Sequence, residues 1–451
     1  MSATSRAPVL APFRIRSFRF QWPADLATSW AFEMETLILS WYVLVETRSV
    51  LMLTVYASLQ YVGTLLAPIF GVVGDRIGHG NLLCVMRAVY ATLAITLMTF
   101  TFTGVLNPVN VLIIATLMGI VRPSDLGVRA TLVGETMPAD RLMGAMSIQR
   151  TTQDSARIAG ALTGAGLVAT LGMGTAYLMV VGFYAASFLL TLKAGGAVSA
   201  RRPPEDKADA RPRDALGERP ASAAGAKARF PQTAVFDGNV SARPSPWRDL
   251  KAGVAYVWTT PYLRAVMCIA FLVNLTAYPL VNGLLPYVAK EIYLTDQTGL
   301  GYLLASFACG ALLGSVVLSR IGHAIRPGRM MIVFCVVWFA LVIVFSQMRG
   351  PAGGITFLML AGLAQSLCMV PMSAILLRNT GAQFRGRVMG IRMLMIYGVP
   401  IGLLTSGPLI ARFGYHTTAT LYCAIGLAAT LLIAMRWRAD LWRLDAPANT
   451  R

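Results

Sequence analysis

Residues 72–79 read VVGDRIGH, and residues 316–323 read VVLSRIGH. A second pair of similar stretches, RLMG at residues 141–144 and RVMG at residues 387–390, lies almost as far apart. The offset is 244 residues for the first pair and 246 for the second. A near-constant offset at two separate places indicates that one structural unit occurs twice along the chain.

Long apolar runs surround these stretches. The chain has 451 residues, of which 56% are hydrophobic and 13% are charged, whereas soluble domains carry about 25% charged residues. A helix needs about 20 apolar residues to cross a bilayer. Runs without Asp, Glu, Lys or Arg reach that length or come close to it at residues 49–74, 88–121, 173–192, 265–289, 297–319 and 330–347. The sequence therefore predicts an all-α membrane protein.

Twelve transmembrane helices in two pseudo-symmetric six-helix bundles account for the runs and the repeat. The predicted spans cover residues 25–46, 50–74, 83–104, 108–133, 142–170, 173–193, 262–289, 297–319, 327–347, 353–378, 388–411 and 416–436. We expect an N-terminal tail at residues 1–24, one half at 25–193, a linker at 194–250, the other half at 251–437 and a tail at 438–451. Two such halves enclose a central cavity.

The net charge of +19 follows the topology. Basic residues cluster in alternate connections, for example Arg76 and Arg87 after the second predicted span and Arg326 and Arg329 after the eighth. This positive-inside pattern predicts a multi-pass protein of the bacterial inner membrane with the linker and both termini in the cytoplasm. The same distribution argues against nucleic-acid binding.

A glycine-rich motif lies between the second and third predicted spans. Residues 71–78 read GVVGDRIG, which resembles the signature loop G-x-x-x-D-R/K-x-G of the major facilitator superfamily. The physical interpretation is a latch in which Asp75 sits at the positive end of the eleventh span near Gly390; the alternative is an ordinary polar turn. The predicted cytoplasmic gate consists of Gly71, Asp75, Arg76 and Gly78.

Four further stretches are similar to one branch of that superfamily, which contains the enterobactin exporter and macrolide efflux pumps. They are FRFQW at 18–22, SWYVL at 40–44, ARIAGAL at 156–162 and QFRGRVMG at 383–390. The likeness covers residues 12–193 and 247–437, with Ala161 where the branch has a proline. The resemblance implies an exporter of drugs or siderophores that exchanges its substrate for protons.

Charged residues inside spans are costly and normally face a cavity or a partner. In the first span, Ser29, Glu33, Thr36 and Ser40 share one helix face, so this stripe is expected to line the cavity. Glu33 is the main candidate for a proton carrier or for a contact to a cationic substrate. Glu35 points about 160° away from it and is a second candidate, although either carboxylate could belong to a structural ion pair.

Two ladders of alternating charge follow in the fourth and fifth predicted spans. Arg122, Asp125 and Arg129 share a face of one helix, and Arg150, Asp154 and Arg157 share a face of the next. Such spacing lets local pairs neutralise each carboxylate. We expect the first ladder to be a structural network with Arg129 close to Glu135. Asp154 and Arg157 lie deeper and are cavity candidates, where an arginine would bind an anion or keep Asp154 deprotonated.

The second half contains few charged residues. Its candidates for the cavity wall are the polar residues Asn274, Tyr278, Asn282 and Gln365. This contrast predicts ion coupling in the first half and a substrate wall in the second.

The sequence contains no arrangement typical of an enzyme. Its three histidines lack metal-ligand spacing to acids or cysteines, and no GxxxxGK[ST] loop is present for ATP. We therefore expect a monomeric secondary transporter that moves a small molecule with the proton gradient and needs no cofactor or metal. An uptake permease of the same fold and a non-transporting sensor or assembly protein remain alternatives.

Overall fold

A computed structural model describes residues 11–199, 246–321 and 326–443. The first half consists of Ala11–Arg14, Arg16–Thr47, Val50–Leu59, Val62–Leu66, Ala67–Ile77, His79–Phe102, Pro108–Thr136 and Ala139–Ser199. The second half consists of Pro246–Thr259, Pro261–Thr276, Pro279–Gly283, Leu285–Tyr287, Val288–Ile292, Gln297–Ile321, Pro327–Gln347, Pro351–Asn379, Ala382–Leu394, Met395–Tyr397, Gly398–Phe413, Tyr415–Arg436 and Arg438–Arg443. Every one of these elements is helical.

Several helices extend beyond their predicted bounds. The first helix begins at Arg16, inside the predicted N-terminal tail. Residues 194–199 and 246–250 of the predicted linker are helical, and residues 200–245 lie outside the described residues. The last helix, Arg438–Arg443, lies in the predicted C-terminal tail.

Twelve spans can be followed through the described residues. Nine helices are long and apolar enough to cross a bilayer, and the pair Val50–Leu66 and Ile69–Ile77, bent by 57°, makes a tenth. One of the nine, Gly144–Ala194, has 51 residues and breaks at Gly172, so it crosses twice. We count Arg16–Thr47, a helix of 32 residues, as the remaining span. We number them 1 to 12 in chain order, with span 2 bent, span 5 at residues 139–171 and span 6 at residues 173–199.

Glycine and asparagine make the sharp connections between spans. Three glycines have positive φ values: +86° at Gly78, +81° at Gly172 and +80° at Gly414. Residues other than glycine rarely adopt such backbone angles. The side chain of Asn107 caps span 4 by accepting a hydrogen bond from the backbone N–H of Asn110 at 2.9 Å. These turns reverse the chain at the ends of spans 2, 3, 5 and 11.

The alternating spans define two ends of the bundle. The motif face carries Gly78, Met137 and Gly381, and the opposite face carries Arg48, Gly172 and Gly414. The sequence predicts that the motif face is cytoplasmic.

The repeat in the sequence reappears in how the helices pack. In the first half, Gly119 of span 4 lies against the backbone of Leu59 in span 2. In the second half, Gly362 of span 10 lies against the backbone of Phe307 in span 8. A Cβ atom at either glycine would collide with a carbonyl oxygen, so both contacts need a small residue.

The two halves meet near the opposite face. Gly407 of span 11 fits against Thr54 and Leu51 of span 2, and Gly301 of span 8 fits against Ala161 and Ala165 of span 5. Closer to the middle, Ser58 Oγ lies 3.4 Å from the carbonyl oxygen of Pro400. At the motif face, Asp75 is exposed, and no atom of the described residues lies within 4 Å of a Cβ built on Gly390. The described halves therefore pack together near the opposite face, whereas Asp75 and Gly390 at the motif face are not packed against each other.

Candidate functional site

The polar stripe of span 1 meets three arginines. Ser40, its fourth member, is buried and bonds the carbonyl of Leu37 in its own helix. Each of the other three side chains contacts one arginine. Ser29 lies 3.1 Å from Arg129, Glu33 lies 3.5 Å from Arg157, and Thr36 lies 3.0 Å from Arg122. The stripe thus binds guanidinium groups from spans 4 and 5.

The pair of Glu33 and Arg157 lies where spans 1 and 5 cross. Gly160 lies so close to span 1 that a Cβ atom there would be 2.7 Å from the Cβ of Glu33. Trp30 holds the same crossing by donating from its indole nitrogen to Thr163 Oγ1 at 2.8 Å. Both charged side chains stay partly accessible, at 25% for Glu33 and 39% for Arg157. Because neither is sealed, this ion pair can exchange one partner for a charged ligand.

A second pair lies two turns nearer the motif face. Arg150 and Asp154 are joined at 3.3 Å, with Arg150 exposed and Asp154 buried. Arg157 is also within electrostatic range of Asp154. The structure therefore places the predicted ladder of Arg150, Asp154 and Arg157 together, with Glu33 as an additional acid.

Arg122 does not join the predicted ladder of span 4. Its guanidinium donates to Thr36 and to Gln60 of span 2, and it lies 4.7 Å from the ring centre of Phe32. Spacing along one helix correctly places Arg122 and Asp125 on neighbouring turns. The long arginine side chain, however, reaches the acceptors offered by spans 1 and 2.

A closed charge network lies deeper toward the motif face. Arg129 pairs with Asp125, and Asp25 of span 1 lies 3.6 Å from the Nε of Arg129. Arg87 of span 3 pairs with Asp25 and also donates to Thr191 of span 6. All four charged side chains are buried. Two carboxylates and two guanidinium groups balance each other, which is what burial of charge requires.

Three sequence predictions about this region were wrong or incomplete. Arg87 was counted with the basic residues of a connection although residue 87 falls inside the predicted span 83–104, and it is fully buried in span 3. Arg129 was expected near Glu135, but Glu135 instead contacts His79 at 2.8 Å. Asp25 was missed. Its signal was its position one turn before Ser29, on the same face as the polar stripe.

The glycine-rich motif is open in this conformation. Asp75 is 77% exposed, and its carboxylate lies 3.8 Å from His79 Nε2. A Cβ built on Gly71 would meet no atom of the described residues within 4 Å, whereas one on Gly74 would meet the ring of His79. Arg76 is exposed and Gly78 makes the turn. The latch between Asp75 and span 11 stays a prediction for a state in which the motif face is closed.

The second half contributes neutral polar groups. Gln365 of span 10 donates to the hydroxyl of Tyr278 at 2.5 Å. Tyr278 lies where span 7 leaves its regular helix for the π-helical turn Pro279–Gly283, which includes Asn282; such turns are frequent at functional sites. Asn274 bonds the carbonyl of Ala270 in its own helix.

Tyr278 of the second half lies near charged groups of the first half. It is within electrostatic range of Arg157 and Arg150 of span 5. Tyr61 of span 2 is within range of Tyr278 and Glu33. An acid, arginines and phenol hydroxyls from the two halves therefore lie near one another, and such a set of groups can bind either sign of charge together with an aromatic ring.

The opposite face has a depression between the halves. It has a volume of about 620 Å³ and carries both signs of charge, from Arg48, Lys290 and Glu291. In the described part of the chain, no group of three or more His, Cys, Asp or Glu side chains is placed to hold a metal ion.

Comparison with known proteins identifies relatives over part of the chain. It is 28% identical over 197 residues to the multidrug efflux pump Tap of Mycolicibacterium fortuitum, covering 40% of this chain and 43% of that protein. It is 25% identical over 206 residues to the enterobactin exporter EntS of Citrobacter koseri, covering 46% and 49%. The chain thus spans about half the length of the curated relatives it matches.

The fold has close structural counterparts. The transporter PepTSo of the POT family superposes with a TM-score of 0.67 at 12% identity, covering 96% of this chain and 99% of that one. At this identity the likeness shows the fold alone. The family description Major Facilitator Superfamily matches residues 27–279 and 267–449. Together with the twelve spans in two halves, this match shows that the chain is a transporter of the major facilitator superfamily.

Proposed function

We propose that this protein exports a small molecule by exchanging it for protons, with the cavity alternately open to each face. Two of its relatives are named as a multidrug efflux pump and an enterobactin exporter. The observation that carries the proposal is the accessible ion pair of Glu33 and Arg157 between spans 1 and 5. A charged substrate replaces one member of that pair.

The substrate class follows from the groups around this pair. Glu33 offers a carboxylate to a cation, whereas Arg157 and Arg150 offer guanidinium groups to an anion. Tyr278 and Gln365 add an aromatic ring and an amide from the other half. We propose amphiphilic aromatic substrates with at least one charge.

Alternating access needs a face that closes and a face that opens. The glycine contacts at Gly301 and Gly407 seal the opposite face by van der Waals packing of small residues, which a rocking motion can separate. In the same motion, Asp75 approaches the start of span 11 at the motif face. Its charge then lies at the positive end of a helix.

Transport into inverted membrane vesicles tests this proposal. With ethidium as the probe, a proton gradient that acidifies the vesicle interior should drive dye uptake, and a protonophore should abolish it. Uptake that is indifferent to the protonophore contradicts proton coupling. Accumulation only in right-side-out vesicles contradicts export.

Glu33→Gln is the variant that tests the site. It keeps the shape of the side chain but removes the charge that pairs with Arg157, so ethidium transport should fall at least tenfold. Glu46→Gln is the matched control, because Glu46 lies exposed near the end of the same helix and should transport normally. Equal activity of the two variants would contradict the site.

A further inference from the structure

A second acid of span 1 lies outside the cavity and has no role in the mechanism above. Glu35 is only 3% exposed. Its Oε2 accepts a hydrogen bond from the hydroxyl of Tyr184 in span 6 at 2.8 Å. Its Oε1 has no hydrogen-bond partner in the described part of the chain. A buried carboxyl group with half of its bonding capacity free is unusual.

Glu35 is surrounded by tyrosines from neighbouring spans. Tyr56 of span 2 and Tyr177 of span 6 are both within electrostatic range of it. Among the residues described, the hydroxyl of Tyr177 lacks a hydrogen-bond partner, whereas the hydroxyl of Tyr56 has Gln60 as its polar neighbour; both tyrosines are buried. We call Glu35, Tyr56, Tyr177 and Tyr184 the tyrosine chamber.

The charged and titratable groups that face the chamber are few. Tyr90 of span 3 packs against Tyr184, with a distance of 5.7 Å between the ring centres. Arg122 of span 4 is the cation within electrostatic range of Glu35, but its guanidinium bonds Thr36 and Gln60 instead. In the described residues, Glu35 therefore forms no ion pair. A lone carboxylate is costly inside a membrane, whereas the neutral acid is not.

A short polar path joins the chamber to the cavity. Tyr56 lies next to Gln60 one turn further along span 2, and Gln60 accepts a hydrogen bond from Arg122. Arg122 is within electrostatic range of Tyr61, as are Glu33 and Arg157. Phe32 packs between Tyr184 and Arg122, with ring contacts of 5.8 Å and 4.7 Å. The chamber is thus close to the cavity but separated from it by one aromatic ring.

We infer that Glu35 carries the exchanged proton, while Glu33 stays in the cavity to meet the substrate. The O–H bond of Glu35 breaks on the release step, the hydrogen bond from Tyr184 stabilises the remaining carboxylate, and a water molecule on the cavity side takes up the proton. The inference rests on the proton exchange proposed above and assigns its carrier. It divides the two acids of span 1 by task.

Infrared difference spectroscopy of the reconstituted protein tests the assignment without substrate. A pH titration should reveal the carbonyl band of a protonated carboxylic acid that disappears as the pH rises. The band should be absent in Glu35→Gln and present in Glu33→Gln. A band that persists in Glu35→Gln, or no titrating band in the wild type, would overturn the inference.

Tyrosine variants supply a second readout. Tyr184→Phe removes the hydrogen bond to Glu35 and should shift the carbonyl band. Tyr415→Phe is the control, because Tyr415 is equally buried in the second half and should leave the band unchanged. No shift in Tyr184→Phe would also count against the inference. A protonophore-insensitive transporter with a titrating Glu35 would refute the proposed function but leave the proton site intact.

Discussion

The two halves share their helix packing but differ in what their interiors contain. Gly119 and Gly362 make equivalent contacts between equivalent spans. In the described residues, however, every buried charged side chain lies in the first half: Asp25, Glu35, Arg87, Asp125, Arg129 and Asp154. The second half offers the neutral pair of Tyr278 and Gln365 at the cavity.

Repeated architecture therefore does not impose repeated chemistry. Packing contacts are conserved between the halves because both bundles must bring helices equally close. Burying a charge costs desolvation free energy. The buried charges are concentrated in the first half, which both binds and releases protons in the proposed mechanism. The other half is then free to form a neutral wall.

The largest expected effect comes from breaking the buried network of the first half. Arg87→Ala leaves Asp25 without one guanidinium partner in a fully buried place. Removing one member of a buried ion pair costs about 3–5 kcal/mol. We expect a corresponding loss in the free energy of unfolding, measured in mixed micelles, and little monodisperse protein.

An arginine of the second half serves as the control for Arg87→Ala. Arg392→Ala removes a half-buried arginine of the second half and should cost less than about 1 kcal/mol. The double variant Asp25→Asn with Arg87→Gln removes both charges and should recover part of the lost stability. Equal costs in the two halves would contradict the asymmetry.

The shared packing should respond equally in both halves. Gly119→Ala and Gly362→Ala each force a Cβ atom against a carbonyl oxygen, and overpacking of this kind costs about 1–3 kcal/mol. Gly127→Ala is the control, since nothing lies within 4 Å of its Cβ position. Melting temperatures in detergent measure all three. Unequal losses at Gly119 and Gly362 would show that the packing is not equivalent.

A smaller effect is expected at the neutral wall. Gln365→Ala removes the hydrogen bond to Tyr278, which is worth about 0.5–1.5 kcal/mol. A loss of that free energy should raise the KM for ethidium about two- to tenfold. The dependence of transport on the proton gradient should stay unchanged. A loss of gradient dependence would assign coupling to the second half as well.

The smallest effect is expected at the motif face. Asp75→Asn removes the anion proposed to sit at the end of span 11, a contact worth about 0.3–1 kcal/mol. The closed motif face should therefore be less populated. Distances between spin labels at residues 80 and 386, in a cysteine-free background, report that population; Glu46→Gln is the control. A shift toward the closed state would refute the latch.

The sequence predicted the fold well because bilayer physics leaves a strong one-dimensional signal. Apolar runs and the offset of 244 residues gave twelve spans in two halves. Spacing along one helix also grouped Arg150, Asp154 and Arg157. Spacing does not show which neighbouring span supplies a partner, so Arg122 was assigned to the wrong network. Arg87 was misplaced because a buried arginine near a helix end resembles a loop arginine in sequence.

The ratio of protons to substrate moved tests the central claim, that coupling belongs to the first half. Proteoliposomes with an internal pH dye and ethidium as the probe give both fluxes for Glu35→Gln and for Gln365→Ala. We expect Glu35→Gln to abolish proton flux but to retain ethidium exchange, whereas Gln365→Ala should slow ethidium transport and keep the ratio of protons to ethidium. A changed ratio in Gln365→Ala with a normal ratio in Glu35→Gln would contradict it.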